Sequence, residues 1–580
     1  SYTFGVDPLQ QYLIEFPGGR LQALGIAWDS RPVDQGGQRW YHLYPDEQIT
    51  HDDPLHWTGT YQNWNHMCAE CHSTNLRKNY RVEDDRFETS WTDIDVSCEA
   101  CHGPGSEHVR LTRTLEEGEA YPEEFLGSVS VRLRADDLGV WTIDPETGNA
   151  SRDAPLTQPF VDVCAPCHSR RSSLDQHIIA GRPFLDTHRP ALLEEGLYHP
   201  DGQILDEVYV YGSFIQSKMH AAGVTCANCH DSHGLQLLAE GNALCAQCHL
   251  ASKFDSPEHH FHKPDSVGAL CVSCHMPTKT YMGVDMRRDH SMRSPRPDLT
   301  MKVGAPNACT ACHSDKPVEW SAQYAEEWYG PVDGDHFGET LAAARAGDPR
   351  SFDPLLAMTA DSTLPAIVRA TAVELAGGFP RSAVASVLAR SMQDPDPLVR
   401  MASARASSSR SPLERTRIVL PLLRDSIRAV RSEAVQVLAT TAPIDIPPRD
   451  TQAYEEALNE YRASLELHAD RPETHVSLAL IDVTAGRHDE AERRLRTAIR
   501  LDSQFAAAYV NLADLLRMQG RDAAGEALLM RGLRVAPQAA SLHYSLGLLM
   551  VRLNRHEEAS TELKKAAELA PEQPRFVYAY

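Results

Sequence analysis

Every cysteine of this 580-residue chain belongs to one five-residue pattern, Cys-x-x-Cys-His, written seven times. The thiol pairs are Cys68 and Cys71, Cys98 and Cys101, Cys164 and Cys167, Cys226 and Cys229, Cys245 and Cys248, Cys271 and Cys274, and Cys309 and Cys312. The histidines that close them are His72, His102, His168, His230, His249, His275 and His313. Two thiols at this spacing can add across two vinyl groups of a haem, and the next residue is placed to ligate its iron from one side. The pattern predicts seven covalent haem c groups, with all fourteen cysteines in thioether bonds and the seven histidines as proximal iron ligands.

Paired cysteines two residues apart also build zinc knuckles. Zinc does not require a histidine after every second cysteine. With 27 histidines in 580 residues, seven such coincidences have odds on the order of one in a billion. No cysteine remains for a catalytic thiol.

An iron held only by its motif histidine keeps a sixth position that can bind and activate a small molecule, whereas a second histidine leaves it to pass electrons. The haem-bearing part has histidines to spare: His42, His51, His56, His66, His108, His177, His188, His199, His220, His233, His259, His260, His262 and His290. The candidate distal ligands are His56, His108, His220, His233, His259, His260, His262 and His290. His108 follows a glycine-proline turn after the second motif. His233 lies three residues after His230, too near in sequence to reach the far face of the same haem, so it is expected to serve a neighbour. Met67, Met219, Met276 and Met292 are alternatives better suited to packing on porphyrin edges. Arg287, Arg288, Arg293, Arg296 and Lys302 form a basic run expected to pair with haem propionates.

Covalent haem attachment occurs outside the energy-transducing membrane, so the expected location is exported: periplasmic, cell-surface or extracellular. The chain opens on Ser1 without a basic and apolar leader, so a signal peptide is expected either to have been removed or not to be included in this sequence. No stretch is long and apolar enough for a transmembrane segment. A formal charge of −24 argues against nucleic acid as a partner and for other redox proteins or cytochromes.

These residues need elements to position them. Residues 1–66 alternate strand-like pieces such as Gln11–Phe16 with turns at Pro17-Gly-Gly and Gln35-Gly-Gly-Gln, predicting a β-rich lead-in. Residues 67–330 form the seven-haem domain, with short helices, little regular secondary structure and a core supplied by porphyrin. Motif starts are 30, 66, 62, 19, 26 and 38 residues apart; the tight run from Cys226 to Cys271 makes those haems near neighbours.

Beyond 331 the chain becomes an all-α helical-repeat solenoid. Val368-Arg369, Val399-Arg400 and Val430-Arg431 recur every 31 residues, predicting HEAT-like pairs over 331–445. After a Pro-rich joint at Pro443 to Pro448, a 34-residue period sets His475, Leu478, Ala479, Ala491 and Leu495 in register with Tyr509, Leu512, Ala513, Gly525 and Leu529, and with His543, Leu546, Gly547, Ala559 and Leu563. This is the tetratricopeptide pattern, over 446–580. Tyr454 to Leu467 reads as the second helix of an earlier, partial repeat. Phe576 to Tyr580 reads as the opening of another, and the absence of a polar cap predicts a chain that continues or an edge that a neighbour covers.

The stretches Trp64-Asn-His-Met-Cys-Ala-Glu-Cys-His, Val96-Ser-Cys-Glu-Ala-Cys-His-Gly-Pro-Gly-Ser, Val208-Tyr-Val-Tyr-Gly-Ser-Phe and Asp289-His-Ser-Met-Arg-Ser-Pro-Arg-Pro-Asp resemble exported multihaem cytochromes c fused to tetratricopeptide repeats. Their haem part is similar to the nitrification-type multihaem cytochromes. The resemblance implies mostly bis-histidine haems in stacked and perpendicular pairs, an electron-transfer role, and often a further haem-binding segment upstream of the point corresponding to Ser1. Some multihaem cytochromes polymerise into conductive filaments, which makes a homo-oligomer or filament an expected partner state.

The leading functional expectation is a conduit: seven haems in a continuous row with the repeats for docking or assembly. The alternative is a reductase or oxidase of a small nitrogen or sulfur compound at one open haem. The Cys-x-x-Cys-Lys motif of ammonia-forming nitrite reductases is absent from the sequence. A third reading makes the repeats primary, as a peptide-binding scaffold.

Overall fold

The computed structural model describes residues 2–51, 53–115, 122, 128–133, 138–152, 158–176, 180–332, 334–440 and 446–580. His177, in the histidine pool, and Pro443, which opens the Pro-rich joint, lie outside the described residues. The chain divides into two compact units, residues 1–79 with 86–431 and residues 80–85 with 432–580.

In the first unit, β1 (Tyr2–Phe4), β2 (Leu9–Phe16), β3 (Arg20–Asp29) and β4 (Arg39–His42) form an antiparallel sheet in sequence order. Alternation along β2 turns Leu9, Gln11 and Leu13 to the buried face, as a period of two requires. Leu13 and Ala23 pack on Trp64 and Ala69, so this face of the sheet covers the first motif. The turn between β2 and β3 needs glycine: Gly19 has a φ of +71°, and a Cβ there would come within 2.2 Å of the Phe87 carbonyl oxygen.

The motifs sit on single helical turns. Examples are Cys98–His102, Ala165–His168, Cys271–His275 and Ala308–Cys312, with 3-10 turns at Cys226–Asn228 and Cys245–Gln247. One turn puts residues three apart on one side, which gathers both thiols of a motif. From Cys226 to Gly268 no residue is buried. A chain ordered into turns and hairpins there, without an internal core, needs apolar surface from something other than its own side chains.

The segment beyond 331 folds as helices Phe337–Arg345, Phe352–Ala360, Ala366–Gly377, Ala383–Ser391, Pro397–Ala406 and Pro412–Val419. The Val-Arg repeat acquires a physical reason here. Val368 and Val399 are solvent-inaccessible, while Arg369 pairs with Asp394 and Arg400 with Asp425, the same 25-residue step in each repeat. These helices share the first unit with the motif-bearing region: Thr371 Oγ1 accepts from the Leu193 N–H, and the Arg345 guanidinium donates to the carbonyls of Leu193 and Tyr198.

The second unit is a stack of antiparallel helices, among them Pro472–Thr484, His488–Leu501, Ala506–Met518, Asp522–Val535, Ala540–Arg552 and His556–Leu569. Its core is Leu495, Tyr509, Leu512, Leu529, Leu542 and Leu546 with their neighbours. The small residues of the 34-residue pattern let helices approach: a Cβ on Gly547 would lie 2.7 Å from the Leu563 side chain. Thr451–Glu466 forms the expected earlier helix and Pro574–Ala579 the final one. Asp482, fully buried, accepts from Arg462, Arg487 and Arg494 at 2.7 to 2.9 Å. Burial alone would raise this carboxyl; the bonds from Arg487 and Arg462 outweigh it and hold it below its ordinary range.

Candidate haem centres

Four motif histidines each face a second imidazole across a narrow gap. His102 faces His233 at 6.1 Å between ring centroids, His230 faces His290 at 6.4 Å, His275 faces His259 at 6.2 Å and His313 faces His262 at 6.2 Å. The ring planes lie within 10° to 36° of one another. These separations are too wide for rings in contact.

They have the width of a metal bound on both sides. An imidazole nitrogen sits about 2.0 Å from a first-row metal and about 1.1 Å from its own ring centre, so two imidazoles sharing one iron are separated by about 6.2 Å. The far nitrogens are arranged accordingly. His102 Nδ1 is 3.1 Å from the Val131 carbonyl oxygen, His275 Nδ1 is 2.9 Å from that of Arg293, and His290 Nδ1 is 2.9 Å from that of Arg288; His262 Nδ1 meets the His260 carbonyl. A ligating histidine ordinarily donates its second N–H in this way, which fixes the ring and leaves Nε2 for the metal.

His220 carries a buried Nε2 with no hydrogen-bond partner, beside the Phe214 ring at 5.2 Å. A buried orphaned ring nitrogen is costly, and a metal bond would satisfy it. Burial pushes the imidazoles of His220, His249, His259 and His290 toward the neutral form, the form that ligates. Among the described residues no group of three or more His, Cys, Asp or Glu is gathered as a metal held by side chains alone needs. The residues fit haem c, held by two thioethers and an axial pair.

The remaining candidates stand elsewhere. His56 bonds Thr58 Oγ1 through Nδ1 at 2.8 Å, and His108 bonds Ser128 Oγ at 3.1 Å. His260 lies 6.5 Å from the His262 ring and accepts from the His262 backbone N–H. Among the described residues His72, His168 and His249 face no imidazole at the paired spacing. His249 Nδ1 is held by Asn149 Oδ1 at 2.8 Å, a partner a hundred residues away that local spacing gives no sign of.

Most of the basic run is paired with protein carboxylates. Arg287 pairs with Glu207 and Asp285, Arg293 with Asp201, Arg296 with Asp298, and Lys302 with Glu339. Asp285 and Asp298, two residues from Arg287 and Arg296 in sequence, supply two of these partners. Arg288 instead donates to the carbonyls of Val272 and Met276 beside the sixth motif, and among the described residues it meets no carboxylate.

Sequence reasoning also missed Glu70, an interior residue of the first motif. It pairs with Arg171 at 2.7 Å, accepts from Ser173 at 2.8 Å and lies 3.4 Å from His188 Nε2. Burial would raise Glu70, and Arg171 and His188 outweigh it, so the carboxylate is held well below its ordinary range. The network ties the first motif to the third. It also engages the solvent-inaccessible His188, whose other nitrogen bonds Thr187.

Comparison with known proteins adds the class. The family described as cytochrome c554 and c-prime matches residues 38–103, across the first two motifs. This stretch is cytochrome c-like. Such a segment implies haem c, and the families of HEAT repeats, over 352–439, and tetratricopeptide repeats, over 482–546 and 540–573, match farther along. No curated protein matches the chain. Among solved structures, the outer cell wall cytochrome OcwA is similar with a TM-score of 0.35 and 17% identity, covering 69% of this chain and 85% of that one. Two structures of MamA have TM-scores of 0.19, at 18% and 15% identity, and cover 30% and 34% of this chain and 96% of theirs. No described helix is long and apolar enough to cross a membrane.

Proposed function

We propose that the chain is an exported electron carrier, binding seven haem c groups through its seven motifs and passing electrons one at a time between redox partner proteins. The observation that carries this reading is the set of four facing imidazole pairs at 6.1 to 6.4 Å. Bound haem supplies a one-electron couple, and two histidines at one iron leave no position for substrate. The chain's own residues do the rest. The thiols of each motif fix the macrocycle, the backbone carbonyls of Val131, Arg293 and Arg288 orient the axial rings, and Arg288 neutralises a propionate. The HEAT and tetratricopeptide helices offer surfaces for docking partners or further copies.

The test is the protein matured in a host that attaches haem c. Seven covalent haems per chain by mass, and reversible reduction of the whole absorbance without added substrate, are expected. A chain without covalent haem, or with stoichiometric zinc, overturns the reading. Filaments in micrographs of the purified protein would make it an assembling conductor, and discrete particles a soluble carrier.

A second reading rests on His72, His168 and His249, which face no imidazole at the paired spacing among the described residues. An iron on one of these with an exchangeable sixth position would make the chain a reductase or oxidase of a small nitrogen or sulfur compound. Binding of nitrite, hydroxylamine or sulfite with a shift in the haem spectrum would favour it.

A further inference from the structure

We infer that helix Val318–Tyr329 is the positioning element for two of the facing imidazoles at once: its aromatic residues hold the segment 257–262, and with it His259 and His262, against the sixth and seventh motif histidines. The inference rests on the electron-carrier reading above and names the residues that set the iron coordination at those two motifs.

The segment cannot hold itself. Pro257–His260 is a single helical turn, far shorter than a helix that persists alone, and among the described residues none from 257 to 262 is buried. Phe261 closes the turn in the left-handed region, with a φ of +54° and its N–H donated to the Pro257 carbonyl at 3.0 Å. A residue with a Cβ keeps that conformation only when its surroundings impose it. Yet His259, on the turn, faces His275, and His262, just beyond it, faces His313, both at 6.2 Å. Two axial partners thus depend on one strained residue between them.

The helix that follows the seventh motif supplies the constraint. Trp320, Tyr324 and Trp328 stand four residues apart and so share one face, with successive ring centroids 4.9 and 5.2 Å apart. At one end Trp320 meets the His313 ring at 5.0 Å. At the other, Trp328 stacks on Phe261 at 4.4 Å with the planes 5° apart. Tyr329 meets the same Phe261 ring edge-on at 5.6 Å and donates its Oη–H to the His259 carbonyl at 2.6 Å. One rigid element therefore backs the seventh motif histidine and also fixes the segment that carries its partner.

Ordinary core packing does not account for this stripe. The buried residue of the helix is Ser321, while Phe261 and Tyr329 are exposed. Phe254 meets His259 edge-on at 5.4 Å, a support for one of the two imidazoles that leaves the left-handed step at Phe261 unheld. Stacking on Trp328 and the bond from Tyr329 act on the step itself, which is why they should govern both histidines together.

The test uses the full haem-loaded chain, read by electron paramagnetic resonance for low-spin against high-spin iron. His259→Ala and His262→Ala set the scale at one iron each. Trp328→Ala combined with Tyr329→Phe removes both holds and should open the same two irons of the seven expected from the motifs, about 29% of the total. The haem count by mass should not change, and adding His259→Ala and His262→Ala should open no further iron. Trp328→Phe alone keeps a stacking ring and should retain the wild-type spectrum. A combined variant that stays low-spin, or that opens fewer than two irons or irons other than these, overturns the inference.

Phe261→Ala leaves the helix untouched and serves if the combined variant fails to fold. It should open the same pair, and an unchanged spectrum again overturns the inference. A wild-type chain without haem, or histidine variants that alter no iron, overturns the electron-carrier reading instead, so the two failures are distinct.

Discussion

Replacing His233 by alanine deletes one imidazole of the pair that His102 faces at 6.1 Å. If one iron bridges that gap, the substitution opens its sixth position, and with seven motifs in the chain one iron in seven, about 14% of the total, should change from six-coordinate low-spin to high-spin or water-ligated. The Val131 carbonyl still holds His102 through Nδ1, so the haem stays attached and the haem count by mass remains seven. His233 is exposed on a hairpin without buried neighbours, so the fold has little to lose, and surface substitutions of this kind move stability by about 0.5 kcal/mol or less. His233→Met serves as the companion: it keeps a ligand but raises the potential of that one haem. Electron paramagnetic resonance and a redox titration read both variants. A high-spin fraction unchanged in His233→Ala, or spread over several haems, would refute the reasoning.

Three further outcomes follow. A Cβ at Gly268 would stand 2.2 Å from His262 Cδ2, so Gly268→Ala should displace His262 from His313 and perturb a different single iron, read by the same spectrum. Asp482→Asn removes the charge that three arginines surround and should destabilise the tetratricopeptide unit by about 3 kcal/mol, measured by urea unfolding. Because the folded Asp482 is held below its ordinary range, the stability it contributes is present above the unfolded value of about 3.9 and is lost as pH falls through the lower folded value; the wild type should lose it on acidification and the variant should not. Leu355 is fully buried among the HEAT-type helices, and Leu355→Ala should cost about 2–5 kcal/mol in cavity and transfer terms, seen as a lower unfolding midpoint.

What the sequence made legible is whatever depends on local spacing. Cysteines three apart, valines 31 apart and small residues 34 apart declare themselves because one helical turn or one repeat fixes their geometry. His233 could be assigned to a neighbouring haem for the same reason, its closeness to His230. In the structure it faces His102, far back in the chain, and no periodicity links the two. The pairing of His230 with His290 and the clamp of Glu70 on Arg171 are equally non-local. The basic run has a local feature the sequence reading passed over: Asp285 and Asp298 stand two residues from Arg287 and Arg296 and pair with them.

The central claim is that the facing imidazoles hold iron. The most direct test is cryo-electron microscopy of the haem-loaded protein at a resolution that shows axial ligands. The account predicts an iron-porphyrin centred between His102 and His233, His230 and His290, His275 and His259, and His313 and His262, each bonded to the cysteines of its motif. Irons found elsewhere, or these four gaps closed by direct ring contact or filled by a metal without porphyrin, would contradict it.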